Sequence, residues 1–131
     1  MGLIVVDASV VIAYRDAEDA CHTVAKEAVT TAGKEHLLSL PASAFAESMV
    51  RPLALGLDAE ELTARLRAVF AIEPITEAIA LAAAELRAAG KLRLPDALVV
   101  ATGIALDAER ILTFDSAWKK VDRRVRVLSP A

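Results

Sequence analysis

Four acidic side chains stand where a sheet-based enzyme would need them. Asp7 follows directly on Ile4-Val5-Val6, and Asp115 follows directly on Ile111-Leu112-Thr113-Phe114. Asp96 opens an apolar helical stretch after Leu94-Pro95, and Glu47 lies inside the helical run from Ser43 to Val50. In an open parallel sheet, ligands bind at the carboxyl ends of strands, where loops leave the sheet and helices begin. Each acid taken singly has an ordinary explanation. Asp7 suits a turn before a helix, and Asp96 complements a helix dipole by about 0.3–1 kcal/mol. Glu47 precedes Arg51 at the spacing of an exposed helix ion pair, and Asp115 can cap the segment Ser116-Ala117-Trp118.

Taken together the four are harder to dismiss. If the strands ending at Asp7 and Asp115 are neighbours, their carboxylates meet at one mouth of the sheet. Two carboxylates about 4 Å apart repel by about 4 kcal/mol at an effective dielectric of about 20. Protonation or a divalent cation relieves that repulsion. Oxygen ligands without His or Cys favour Mg2+ or Mn2+. A carboxylate cup of this kind suits hydrolysis of a phosphodiester, because the ion activates a water and neutralises charge on the phosphate and the leaving oxygen.

The elements that must position these acids alternate. Strands are predicted at Leu3–Val6, Leu37–Leu40, Ala71–Ile75, Arg110–Phe114 and Val125–Leu128 from their aliphatic and β-branched runs. Ser9 is expected to cap a short helix leading to Tyr14, and Ala17–Thr31 reads as a second helix ending near Gly33. Another helix begins around Pro41–Ser43. Asp58 with Glu61 resembles a capping box opening Ala59–Phe70. Thr76-Glu77 opens Ala78–Ala89, which Gly90 ends. Pro95 sits at a favoured first helical position of a stretch running through Leu106. Alternation of this kind demands crossover connections, hence an α/β fold with a mostly parallel sheet and helices on both faces, three layers in one domain spanning 1–131. The stretch Asp96–Leu106 is apolar nearly all round and should be buried against the sheet.

Composition agrees with such a domain. The chain has 131 residues, of which 56% are hydrophobic and 25% charged, which supplies a core and excludes a disordered tail. Its longest stretches without a charged residue or His, Leu37–Ala46 and Ala97–Leu106, fall short of the roughly 18 residues of a membrane span. A single cysteine, Cys21, and two histidines leave no disulfide scaffold and no Cys/His zinc site. With no basic leader before Asp7, a cytoplasmic protein is expected. The net charge of −3 is unevenly spread: from Arg110 onward six basic residues face two acids. That asymmetry permits local phosphate contacts, although a solvated basic face explains it as well.

The sequence resembles the PIN-domain family in four segments taken in order. Val5-Val6-Asp7-Ala8-Ser9-Val10-Val11 resembles the family's opening motif, and Leu94-Pro95-Asp96-Ala97-Leu98-Val99-Val100-Ala101-Thr102 its Asp-Ala helix start. Ile111-Leu112-Thr113-Phe114-Asp115 resembles the fourth strand with its terminal acid. Glu47, after Leu40-Pro41-Ala42, stands where the family has a mid-chain helical Glu. The length is similar to that of the small VapC-type toxins of bacterial toxin–antitoxin pairs. The resemblance implies a parallel sheet in the order 3-2-1-4-5, which sets strands one and four side by side. It implies that Asp7, Glu47, Asp96 and Asp115 are the metal-binding acids of a Mg2+- or Mn2+-dependent endoribonuclease. Ser9 would then bond an active-site carboxylate or water, and Thr113 would do similar supporting work or serve as an ordinary strand residue. It further implies a homodimer and a cognate antitoxin that blocks the acidic groove. Many relatives carry another acid soon after the fourth-strand Asp, where this sequence has Ser116, Ala117 and Trp118. One or two ions therefore stay open.

On this reading the reaction is in-line attack of a metal-activated water on single-stranded or loop RNA, leaving a 5′-phosphate and a 3′-hydroxyl. Lys91, Arg93, Lys119 and Lys120 are candidate backbone contacts, or equally solvated helix ends. Trp118 is expected to pack rather than to stack on a base. Two other enzyme classes fail on residues. A haloacid-dehalogenase-type phosphatase needs an Asp where Ser9 stands, and a phospho-receiver needs one ending Ala71–Ile75. The alternative from another class is a non-catalytic binding module whose acidic pocket takes a structural ion or a partner's arginines. The apolar helices Ala78–Ala89 and Asp96–Leu106 offer more hydrophobic surface than a small sheet needs, which suggests a homodimer contact.

Overall fold

The aliphatic runs form strands and the Ala-rich stretches between them form helices, in a computed structural model that describes residues 2–130. In chain order these are β1 (Gly2–Val6), α1 (Ala8–Arg15), α2 (His22–Gly33), β2 (His36–Pro41), α3 (Ala42–Ala54) and α4 (Ala59–Arg67). There follow β3 (Ala71–Glu73), α5 (Glu77–Ala88), α6 (Leu94–Ala105), β4 (Arg110–Thr113), a 3-10 turn (Ser116–Trp118) and β5 (Val125–Val127). All strand pairs are parallel, in the order β3-β2-β1-β4-β5. The fold is α/β, as the alternation predicts, and β1 and β4 are neighbours.

Strand pleating sends alternate residues to opposite faces, so each face of the sheet can be matched to a helix. Val5 and Ile111 pair across β1 and β4. Both lie under Gly103 of α6, where an added Cβ would collide with the Ile111 side chain and lie 3.9 Å from the Val5 Cβ. On the other face α2 covers the sheet. An added Cβ at Gly33 would stand 3.5 Å from Leu38 Cδ1, and Ala28 and Ala32 share a hollow with Leu112. Helices therefore flank the sheet on both sides, three layers deep. Ala97, Val99, Val100, Ala101 and Thr102 of α6 are all buried, because an all-round apolar helix belongs between the sheet and a second helix. That second helix is α5, which packs along α6. Part of the apolar surplus expected to face a partner is spent in this contact, leaving Leu81, Leu94 and Ile104 exposed.

The tight α6–sheet approach gives a first prediction. Gly103→Ala should destabilise the protein by about 1–3 kcal/mol, overriding the ~1 kcal/mol that alanine gains in helix propensity. Chemical denaturation reads it; unchanged or raised stability would mean that α6 does not sit this close to Ile111.

Several boundaries differ from expectation for local reasons. The second helix begins at His22, not Ala17, because the carboxylates of Asp16 and Asp19 accept from the Glu18 and Cys21 N–H groups and build two turns first. Ser9 does not cap α1. Asp7 occupies that position and Ser9 lies in the first turn, since the strand runs straight into the helix with a single residue between. The strand read as Ala71–Ile75 ends at Glu73, before Pro74. Asp58 accepts from the Glu60 and Glu61 N–H groups and Thr76 from Ile79, the caps expected for α4 and α5. Gly90 takes a φ of +76° after α5, the left-handed conformation that suits glycine there.

Candidate functional site

The β1–β4 register brings the ends of two strands together and with them the first acid. Val6 pairs with Leu112, and the Asp7 N–H donates to the Leu112 carbonyl at 3.0 Å, so Asp7 and Thr113 stand abreast at the carboxyl edge. Asp7 is buried. Its Oδ2 accepts from Ser9 Oγ at 2.8 Å and from Thr113 Oγ1 at 2.9 Å. Each hydroxyl in turn accepts a backbone N–H, Ser9 from Phe114 at 3.1 Å and Thr113 from Asp115 at 3.1 Å. With a lone pair of each hydroxyl engaged by an N–H, each proton is free to point at Asp7. The two hydroxyls fix the rotamer of the carboxylate and leave Oδ1 without a side-chain partner.

Three other segments deliver the remaining acids. Glu47 projects from α3 at the exposed rim, and Asp96 lies in the first turn of α6. Asp115 follows β4, where its Oδ1 caps the 3-10 turn by accepting the Ala117 N–H at 2.9 Å. Electrostatics place them in one field. Burial pushes the Asp7 carboxyl above its ordinary range, against the opposing pull of the Ser9 and Thr113 hydrogen bonds. Desolvation raises Glu47, and the charges of Asp7 and Asp96 raise it further, partly offset by Arg93. Desolvation also raises Asp96, with Asp7 and Asp115 adding to the shift and Arg93 opposing it. Asp7, Glu47 and Asp96 thus repel one another, and Asp115 repels Asp96. The ordinary explanation of Glu47 does not hold, since among the described residues it makes no ion pair with Arg51. The ordinary explanation of Asp115 holds, and its second oxygen remains for other work.

The acids are near one another but not closed into a cage: among the described residues, no three His, Cys, Asp or Glu side chains gather tightly enough to enclose an ion. The chemistry of the donor set nonetheless fits a hard divalent cation. All four are carboxylates, and among the described residues the one cation paired with them is Arg93, 82% exposed and 3.9 Å from Asp96, a separation that neutralises little. Mg2+ keeps several of its waters and is commonly held through one or two carboxylates, so an open arrangement suits it.

Basic residues border this acid patch. Lys91 and Arg93 line a shallow hollow together with Asp96, Asp115 and Arg87. Lys119 and Lys120 are exposed just beyond it and do not line it. Arg87, on the last turn of α5, is absent from the sequence-based candidates, and its only sequence signal is a basic residue shortly before Lys91 and Arg93. Trp118 is fully buried, which removes base stacking. Its indole N–H finds no hydrogen bond of ordinary geometry yet lies close enough to Asp96 to favour the ionised carboxylate.

A carboxylate-rimmed strand edge on a parallel 3-2-1-4-5 sheet defines a recognisable class of α/β protein. The chain belongs to the PIN domain family, whose model matches residues 4–124. No curated protein matches the sequence. Among solved structures it is similar to a toxin–antitoxin complex from Klebsiella pneumoniae, with a TM-score of 0.77 and 22% identity over 98% of each chain. It is also similar to VapC20 of Mycobacterium tuberculosis, a toxin that cleaves the Sarcin-Ricin loop, with a TM-score of 0.72 and 20% identity, covering 88% of this chain and 92% of that one. VapBC2 from Rickettsia felis, bound to a DNA fragment from its promoter, gives a TM-score of 0.71 at 12% identity, covering 95% and 96%. These likenesses establish a shared fold.

Proposed function

We propose that this protein is a divalent-cation-dependent endoribonuclease, the toxin of a toxin–antitoxin pair. The observation that carries the reading is that acids from four separate segments share one field beside the carboxyl edge of β1 and β4, where burial raises Asp7, and burial together with neighbouring acids raises Glu47 and Asp96. Asp7, Asp96 and Asp115 would hold a Mg2+ or Mn2+ ion, with Glu47 holding it or orienting the attacking water. Bound there, the ion supplies charge neutralisation at the phosphate and a more acidic water.

The chain's own groups account for the rest. Ser9 and Thr113 hold Asp7 in one rotamer, which lowers the reorganisation needed when substrate arrives. Glu47, at the rim and with a raised proton affinity, is suited to take the proton of the attacking water. Arg87, Lys91 and Arg93 flank the acids and would hold the flanking phosphates, with Lys119 and Lys120 further along the strand's path. Backbone contacts of this kind position RNA without reading its sequence. An antitoxin partner is supported by the toxin–antitoxin complexes that share the fold. A homodimer is supported by the exposed Leu81, Leu94 and Ile104, and action in the cytoplasm follows from an RNA substrate. Among the described residues, no helix is long and apolar enough to cross a membrane.

Purified protein with Mn2+ should cut a structured RNA, and EDTA should stop it. Glu47→Gln should lose about 10²-fold or more of the rate at an unchanged melting temperature. Full cleavage by Glu47→Gln would remove that residue from the chemistry. Divalent-cation binding without any cleavage by the wild-type protein would favour the binding-module reading instead.

A further inference from the structure

Helix α3 carries an internal defect. Pro52 lies inside it, and a proline has no N–H to give the carbonyl four residues earlier. That carbonyl belongs to Ser48, which is buried and out of reach of water. A buried carbonyl with no donor is costly. Its partner comes from another helix: Nη2 of Arg15, the last residue of α1, donates to the Ser48 carbonyl at 2.5 Å. The arrangement is not what packing alone would select. Burial disfavours the charged guanidinium, and Arg15 Nη1 is buried without a partner. An aliphatic side chain would fill the space without these losses, but it would leave the Ser48 carbonyl bare.

Both helices joined by this bond carry a site residue. Asp7 is the N-cap of α1, at the end opposite to Arg15, and Glu47 is the residue before Ser48, beside the bonded carbonyl in the middle of α3. We propose that Arg15 is a positioning residue, a latch that uses the carbonyl vacated by Pro52 to fix α3 against α1 and so hold Glu47 across from Asp7. The latch itself is independent of the enzymatic reading; its effect on the cation site rests on that reading.

The test is a double-mutant cycle of Arg15→Met and Pro52→Ala in the full chain. The Pro52→Ala substitution restores an N–H within α3, so Ser48 no longer needs the guanidinium. Thermal unfolding without divalent cations reads the latch: Arg15→Met should lower the melting temperature by about 4–8 °C in the parent and by clearly less beside Pro52→Ala. Mn2+ binding, followed by the paramagnetic resonance of the free ion, reads the positioning. Arg15→Met should weaken it about tenfold, Pro52→Ala should restore it to within about twofold, and Arg15→Lys should recover part of the loss. Equal thermal losses in both backgrounds would overturn the latch. A thermal coupling with unchanged Mn2+ affinity would overturn the positioning role and leave a structural bond. Parent protein that binds Mn2+ but cuts no RNA would defeat the nuclease reading while leaving this cycle decisive, and parent protein that binds no Mn2+ would remove the positioning role together with the site.

Discussion

Asp7→Asn is expected to reduce cation-dependent RNA cleavage by about 10³-fold or more while raising the thermal stability of the cation-free protein. The two effects have one source. The asparagine carbonyl can accept the Ser9 and Thr113 hydroxyls as Asp7 Oδ2 does, so the local geometry is kept. The negative charge is lost, and with it an anchor for the ion, whose electrostatic contribution of several kcal/mol corresponds to a tenfold rate loss for each ~1.4 kcal/mol. Stability moves the other way because, without cation, the charge is buried among other acids. Burial raises the Asp7 carboxyl, and Asp7 in turn raises Glu47 and Asp96. A carboxyl raised on folding makes the folded state bind more protons than the unfolded chain. These three therefore favour folding most below the ordinary carboxylate pKa values, and that contribution is lost as pH rises through their raised values. In EDTA the wild-type melting temperature should fall over this window more steeply than that of Asp7→Asn. Divalent cation should restore it at neutral pH in the wild type alone. Equal pH slopes in the two proteins would contradict the electrostatic account.

Trp118→Ala is expected to cost about 3–5 kcal/mol of stability, the loss for emptying a fully enclosed large aromatic site. Trp118 ends the 3-10 turn that Asp115 caps and is completely buried. Its removal opens a cavity directly beneath the turn that presents Asp115. Trp118→Phe separates volume from polarity. Phenylalanine keeps most of the packing and deletes an N–H that has no well-formed partner, so stability should change far less than in the alanine variant. The Asp96 carboxylate loses a favourable neighbour in the same exchange, and cleavage should fall more than stability does. Urea unfolding and cleavage rates on the same preparations read both. A phenylalanine variant as unstable as the alanine one would mean that the indole N–H, rather than the ring, holds this corner together.

What was legible in the sequence follows the reach of each signal. Strand identity was carried by runs such as Ile4-Val5-Val6 and Ile111-Leu112, whose β-branched and aliphatic character needs no partner to be read. Caps at Asp58 and Thr76 are contacts within four residues, so they too were visible. The acids could be named because a charge directly after an apolar strand is conspicuous, and family resemblance supplied Glu47. Contacts between distant segments were not legible. The family resemblance implied a carboxylate bond for Ser9 and supporting work for Thr113, but that Thr113 meets Ser9 on the same Asp7 Oδ2 depends on the β1–β4 register. The start of α2 lies later than periodicity predicts because the Asp16 and Asp19 turns compete with helix through side-chain bonds that helical periodicity ignores. The role of Arg15 has no local signal, because it is set by a proline 37 positions away.

The most direct test is a crystal soaked in Mn2+ and measured at an energy where manganese scatters anomalously. The account predicts a peak within coordination distance of the Asp7 and Asp96 carboxylates, with Glu47 or Asp115 facing it directly or through water. A peak elsewhere, or none at saturating Mn2+ with Asp7 still held by Ser9 and Thr113, would contradict it.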